Sequence, residues 1–249
     1  MILTLSIILF ILMTVIGKKR GLKAFITLYL NYFAFIMGLI LILFGLNPII
    51  VALTISLLVS ITILFVLNGY NEKTRAALIS VIITLLIMAF IIYLFGYHSN
   101  INGFAIEEAE ELGLYSMNIN MNMTNICIAV ILMGLIGSIT DTAIAIASPI
   151  YEIHANNKKI APKELFKSGM NIGKDILGTT INTLFFAFIS TFMGFYIWYQ
   201  NISPLHLVNY KGFASEFIRI MCSGLGCVII IPIAALISTL IITKKRSSN

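Results

Sequence analysis

Seven long apolar stretches divide the sequence almost from end to end, at about residues 2–16, 22–46, 48–67, 76–97, 123–150, 170–199 and 217–242. Roughly 20 apolar residues in a row span the hydrocarbon of a bilayer as an α-helix. A soluble chain would carry about 25% charged residues. Here the figure is 10%, against 59% hydrophobic, so lipid rather than water is the expected surroundings. The stretches are continuously apolar and do not alternate at period two, which excludes a β-barrel. Within hydrocarbon each backbone polar group must find a partner inside its own segment, so the stretches are helices. The expected fold is all-α: a polytopic transmembrane bundle of about seven helices, forming a single transmembrane domain over residues 1–249.

The basic residues set the orientation. Lys18, Lys19, Arg20 and Lys23 follow the first stretch, and Lys73 and Arg75 follow the third. Lys158, Lys159, Lys163 and Lys167 follow the fifth, and Lys244, Lys245 and Arg246 the seventh. The opposite side carries Lys211, with Arg219 near the start of the seventh stretch. Loops rich in Lys and Arg stay in the cytoplasm, which places the N-terminus outside and the C-terminus inside. The net charge of +6 therefore reports topology, and nucleic acid is not an expected partner. In the first stretch the charges come after the apolar residues, as in an anchor and unlike a secretory signal. A long segment on the outer side, His98 to about Asn122, holds Glu107, Glu108, Glu110 and Glu111. Its residues 106–112 read either as an acidic surface helix or as a solvated loop.

In such a chain the polar residues inside the stretches carry the information. An ionisable group at mid-span costs at least about 2.5–3.5 kcal/mol, which makes it a functional candidate by default. Asp141 is the clearest, about a dozen residues or roughly 18 Å from the cytoplasmic end of the fifth stretch. Gly134, Ser138, Asp141, Ala145 and Ser148 follow three-to-four spacing and share one helix face with Thr142 nearby. Small residues let another backbone approach, so this is either a packing seam or a coupling site. On the sixth stretch Asn171, Asp175, Gly178 and Asn182 form a polar stripe beside Thr179, and Gly169 and Gly173 add a small pair. The two stretches are consecutive and antiparallel around a loop centred near Lys159. Equal counting from that centre sets Asp141 level with Gly178 and Thr179, with Thr179 and Asn182 within reach of its carboxylate. Asp141, Asp175, Thr179 and Asn182 are thus the expected proton or ion-coupling residues, supported by Ser138, Thr142, Asn171 and Gly178.

Other polar residues have plainer readings. Lys174 and Asp175 project about 100° apart and do not pair on one helix; Lys174 is shallow enough to snorkel. Pro162 suits a helix first turn and is followed by Glu164, Leu165 and Phe166, so a brief interfacial helix is expected before the sixth stretch. His154 reads as an interfacial polar residue or a proton relay. Glu216 and Arg219, three apart, are expected to pair, and Asn31 to bond between helices. Cys127, Cys222 and Cys227 lie in apolar surroundings with no CxxC, so neither metal nor disulfide is expected. No cofactor is implied. A paired Asp motif, a Ser/His dyad and HExxH are all missing, so the chain does not read as an enzyme.

The segments GLIGSITDTAIAIAS at 134–148, Tyr151-Glu152 with His154, and ELFKSGMNIGKDILGTTINT at 164–183 resemble the YibE/F-like family of bacterial membrane proteins. The resemblance extends to the acidic Glu107–Glu111 segment and the seventh stretch. It implies a multi-pass protein of the bacterial cytoplasmic membrane. Larger members carry an extracytoplasmic domain after a first anchor, whereas here only the Lys18–Lys23 turn follows it. The resemblance therefore implies a related subunit that supplies such a domain. A more distant pattern is similar to the membrane halves of SecD and SecF, of the resistance-nodulation-division (RND) superfamily. It implies an RND-like arrangement of the second to seventh helices, with Asp141 as the coupling carboxylate. The reading is a membrane subunit of an ion- or proton-coupled transporter or energy-transducing complex; the alternative is a non-transporting scaffold or accessory subunit. The topology is checked by placing single cysteines at Ser99 and Ser247 in a chain lacking its native cysteines. Ser99→Cys should label from outside and Ser247→Cys only after permeabilisation.

Overall fold

The computed structural model describes residues 1–98, 122–198 and 211–244. These fall in six helices and their short connections: α1 (Ile2–Leu43), α2 (Pro48–Ile61, continued by a π-helical turn, Thr62–Leu67), α3 (Glu72–His98), α4 (Met123–Asn156), α5 (Pro162–Trp198) and α6 (Lys211–Lys244). There is no strand among the described residues, and the six are each long and apolar enough to cross a membrane. The chain is an all-helical, multi-pass membrane protein. The acidic Glu107–Glu111 segment lies outside the described residues.

The first two of the seven expected stretches are the two helical arms of α1, which meet at a kink. That helix doubles back at Lys18, whose φ of 49° and ψ of −130° leave helical space. Ser6 Oγ lies 2.6 Å from Tyr29 Oη, and the Phe10 and Phe25 rings are 4.9 Å apart at their centroids. A Cβ at Gly21 would run into the Met13 carbonyl. These pairs are symmetric about residues 17 and 18, so the two arms form an antiparallel hairpin. The turn into α2 follows from its residues: Gly45 takes a φ of 88°, the Asn47 side chain accepts from the Ile49 amide at 3.0 Å, and Pro48 opens the helix. Asn31 joins the hairpin to α2, accepting from the Thr62 hydroxyl at 2.9 Å in the π-helical turn.

α4, α3 and α6 form the centre. α4 and α6 run parallel, with each α4 residue facing one about 85 positions later. Thr142 donates to Cys227 Sγ at 3.7 Å, and farther along Ile150 and Ala235 together close on Gly169. Gly226 lies against Ile139 and Gly96 against Ile128, each where a Cβ would come within 3.0 Å of the neighbouring side chain. α5 runs antiparallel to α6, seating Gly169 on Ala235 and Gly173 on Ile231. The interfacial helix expected before the sixth stretch is not separate: Pro162 does open a helix, but it runs without a break to Trp198. Leu165, which is fully buried, binds that first turn into the core and holds it in line with the rest. α5 is otherwise peripheral, with 11% of its most apolar window buried against 56% for α4.

Because Gly173 meets the Ile231 side chain, Gly173→Leu should lower stability by about 1–3 kcal/mol, the usual cost of overpacking. Gly178 has open space around it, so Gly178→Ala should leave the detergent melting temperature close to that of the parent chain. Equal melting temperatures for the two variants would contradict the α5–α6 register.

Candidate functional site

Neighbouring threonines on α4 determine where Asp141 points. Thr140 is buried and shares a hydrogen bond of 3.2 Å with Ser60 on α2. Thr142 is bonded to Cys227 on α6. Successive residues turn by about 100°, so Asp141, between them, projects into the gap between α2 and α6. It is exposed there, and among the described residues nothing bonds to its carboxylate or forms an ion pair with it. The floor of this gap is the small-residue face: Gly134, Ser138, Asp141, Ala145 and Ser148. The hydroxyls nearest Asp141 are used locally, Ser138 donating to Leu135 O at 2.9 Å and Thr142 also to Ser138 O at 2.8 Å.

A cation stands toward each end of the face. The Arg219 stem lies across Gly134, where a Cβ would sit 3.2 Å from its Cδ, and Arg219 is ion-paired with Glu216 as expected. Toward the other end, Lys73 Nζ donates to Ser148 Oγ at 3.2 Å. Gly134, Asp141 and Ser148 are seven residues apart, about two turns or 10 Å in each step. Asp141 is therefore a carboxyl group midway between two cations in a gap lined by small side chains. Interhelical hydrogen bonds in membranes average about 0.6 kcal/mol. One such bond could not offset an insertion cost of about 2.5–3.5 kcal/mol, and Asp141 has none.

The sixth stretch, now α5, is placed differently from the expectation. Nine residues back from Ile150 and nine on from its contact Gly169 lead to Asp141 and Gly178, so their levels agree. Their directions do not. At about 100° per residue, Ile150 lies on the opposite side of α4 from Asp141. α5 is thus packed behind the face that bears the carboxylate. Thr179 donates to Ile176 O of its own helix at 2.8 Å. Asn171, Asp175, Gly178, Thr179 and Asn182 are all exposed, and all but Thr179 lie on the side of α5 opposite Gly169 and Gly173. The physical reason is the choice of close-contact surface: the two glycines that accept Ile150, Ala235 and Ile231 face inward and turn the polar stripe outward. The candidate residues therefore form two groups, Ser138, Asp141 and Thr142 on α4, and Asn171, Asp175, Gly178, Thr179 and Asn182 on α5.

Arg219, Lys73 and Cys227 complete the surroundings of the α4 face. The sequence reading used Lys73 for orientation alone and paired Arg219 only with Glu216. No local pattern announces the 85-residue register that brings Arg219 to Gly134. His154, in the last turn of α4, has a buried Nδ1 without a hydrogen-bond partner among the described residues.

Fold and site together define a multi-pass helical membrane protein with carboxylates exposed on its membrane-spanning helices. A family model described as YibE/F-like protein matches residues 5–244, and the chain belongs to that family. It matches no curated protein and no solved structure.

Proposed function

We propose that the chain is the membrane subunit of an ion- or proton-coupled transporter or energy-transducing complex, with Asp141 taking up and releasing the coupling cation. The observation that carries this reading is a carboxylate without a hydrogen-bond or ion-pair partner among the described residues, aimed between α2 and α6 by Thr140 and Thr142. The proton is the favoured cation. A metal such as Ca²⁺ takes six or more oxygen ligands, several of them commonly carboxylates, whereas among the described residues Asp141 belongs to no cluster of metal-ligating side chains. The cations at Gly134 and Ser148 would hold the charged form of Asp141 in place without quenching it by direct contact. In this reading the N-terminus faces outward, the C-terminus lies in the cytoplasm of a bacterial cell, and a related subunit supplies an extracytoplasmic domain. A scaffold or accessory role is the second reading, favoured by the outward stripe of α5, which is a binding feature with no need of transport.

Asp141→Asn should insert and fold normally yet lose activity in a complementation or flux assay by about 100-fold or more, the scale of a missing proton-transfer group. Asp141→Glu should keep part of the activity. Thr179→Val should stay near the parent level, because that hydroxyl is bonded within its own helix. Full activity in Asp141→Asn would replace the coupling role with the scaffold.

A further inference from the structure

The outward face of α5 carries amides at its centre and opposite charges on its two flanks. Taking about 100° per residue, Asn171, Gly178 and Asn182 fall within about 20° of one line along the helix. Lys174 lies about 60° to one side of that line and Asp175 about 40° to the other. Gly169 and Gly173, which seat α5 on the core, are on the far side of the helix, about 160° away. All five residues of the stripe are exposed, and among the described residues Lys174 and Asp175 make no ion pair. Facing lipid, this combination of charges and amides is costly.

We propose that this face is the interface between two copies of the chain, related by a twofold axis along the membrane normal. Copies inserted in one membrane share an orientation, so their α5 helices run parallel. Around a twofold axis the left flank of one helix meets the right flank of the other. Lys174 of each copy then meets Asp175 of the other, giving two reciprocal ion pairs from residues that have no such partner among the described residues of one chain. At the centre, Asn171 meets Asn171; an amide both donates and accepts, so it complements itself. Gly178, with no atom near its missing Cβ, lets the two backbones approach closely. A second copy fits better than an unrelated helix because opposite charges on opposite flanks are self-complementary. The Asp141 face has no such symmetry, with Arg219 and Lys73 both cationic.

The test uses the full chain in lipid bilayers, with the three native cysteines changed to serine. Asn171→Cys and Asn182→Cys should each form a disulfide-linked dimer on mild oxidation, and Phe90→Cys on the exposed side of α3 should not. Lys174→Glu or Asp175→Lys alone should make dimerisation about tenfold weaker, on the scale of two lost surface ion pairs. The double exchange K174E/D175K should restore it. These side chains are exposed in one copy, so melting temperatures in monomer-forming detergent should not change. Single copies in bilayers, cross-links from Asn171→Cys to a different protein, or a double exchange that fails to restore dimers would each overturn the proposal.

Discussion

The parallel seam between α4 and α6 is the contact on which the rest of the molecule depends. Lipid tails are as apolar as leucine, so no hydrophobic force presses one membrane helix on another; close packing must do so. Along this seam small residues stand opposite large ones. Gly134 receives the Arg219 stem, Gly226 receives Ile139, and Ala235 lies near Ile150 where Gly169 also enters. α3 closes on the same pair through Met88 and Leu85, which are buried. α2 adds the Ser60–Thr140 bond. Once α4 is held on both flanks, the direction of Asp141 has no freedom left.

Polar groups in the bundle sort into two kinds. Most hydroxyls donate to a carbonyl one turn back on their own helix: Thr27, Ser80, Thr183 and Thr239 all do so. This local bond satisfies the group wherever the helix goes and says little about function. Inside a helix, amides, carboxylates, ammonium and guanidinium groups have no such backbone bond and need another side chain. Asn31 finds Thr62, Lys73 finds Ser148, and Arg219 finds Glu216. Asp141 and the α5 stripe find none within the described chain, which is why one is read as a working group and the other as an interface.

The distinction explains what the sequence disclosed. Helical class, the turn at Asn47-Pro48, the Glu216–Arg219 pair and the depth match of Asp141 with Gly178 all follow from local pattern or from counting along consecutive helices. The facing of α5 does not. Two stripes on that helix, Gly169 with Gly173 and Asn171 with Gly178, each permit close approach, and only tertiary packing decides which is used. Thr179 misled for the first reason above: its hydroxyl is already bonded to Ile176. The α4–α6 register, between helices far apart in sequence, has no local signature. Nor does the hairpin at Lys18, where two helical arms meet at a residue outside helical space.

In the proposed role, the Asp141 carboxylate itself changes protonation as the protein works. Infrared difference spectroscopy on the reconstituted protein, driven by an imposed pH gradient, reads that event directly. A protonated-carboxyl band that appears and disappears with the gradient, shifts in deuterated water and is missing from Asp141→Asn is the result predicted here. A carboxyl region that stays unchanged under the gradient, or a band that persists in Asp141→Asn, would contradict it.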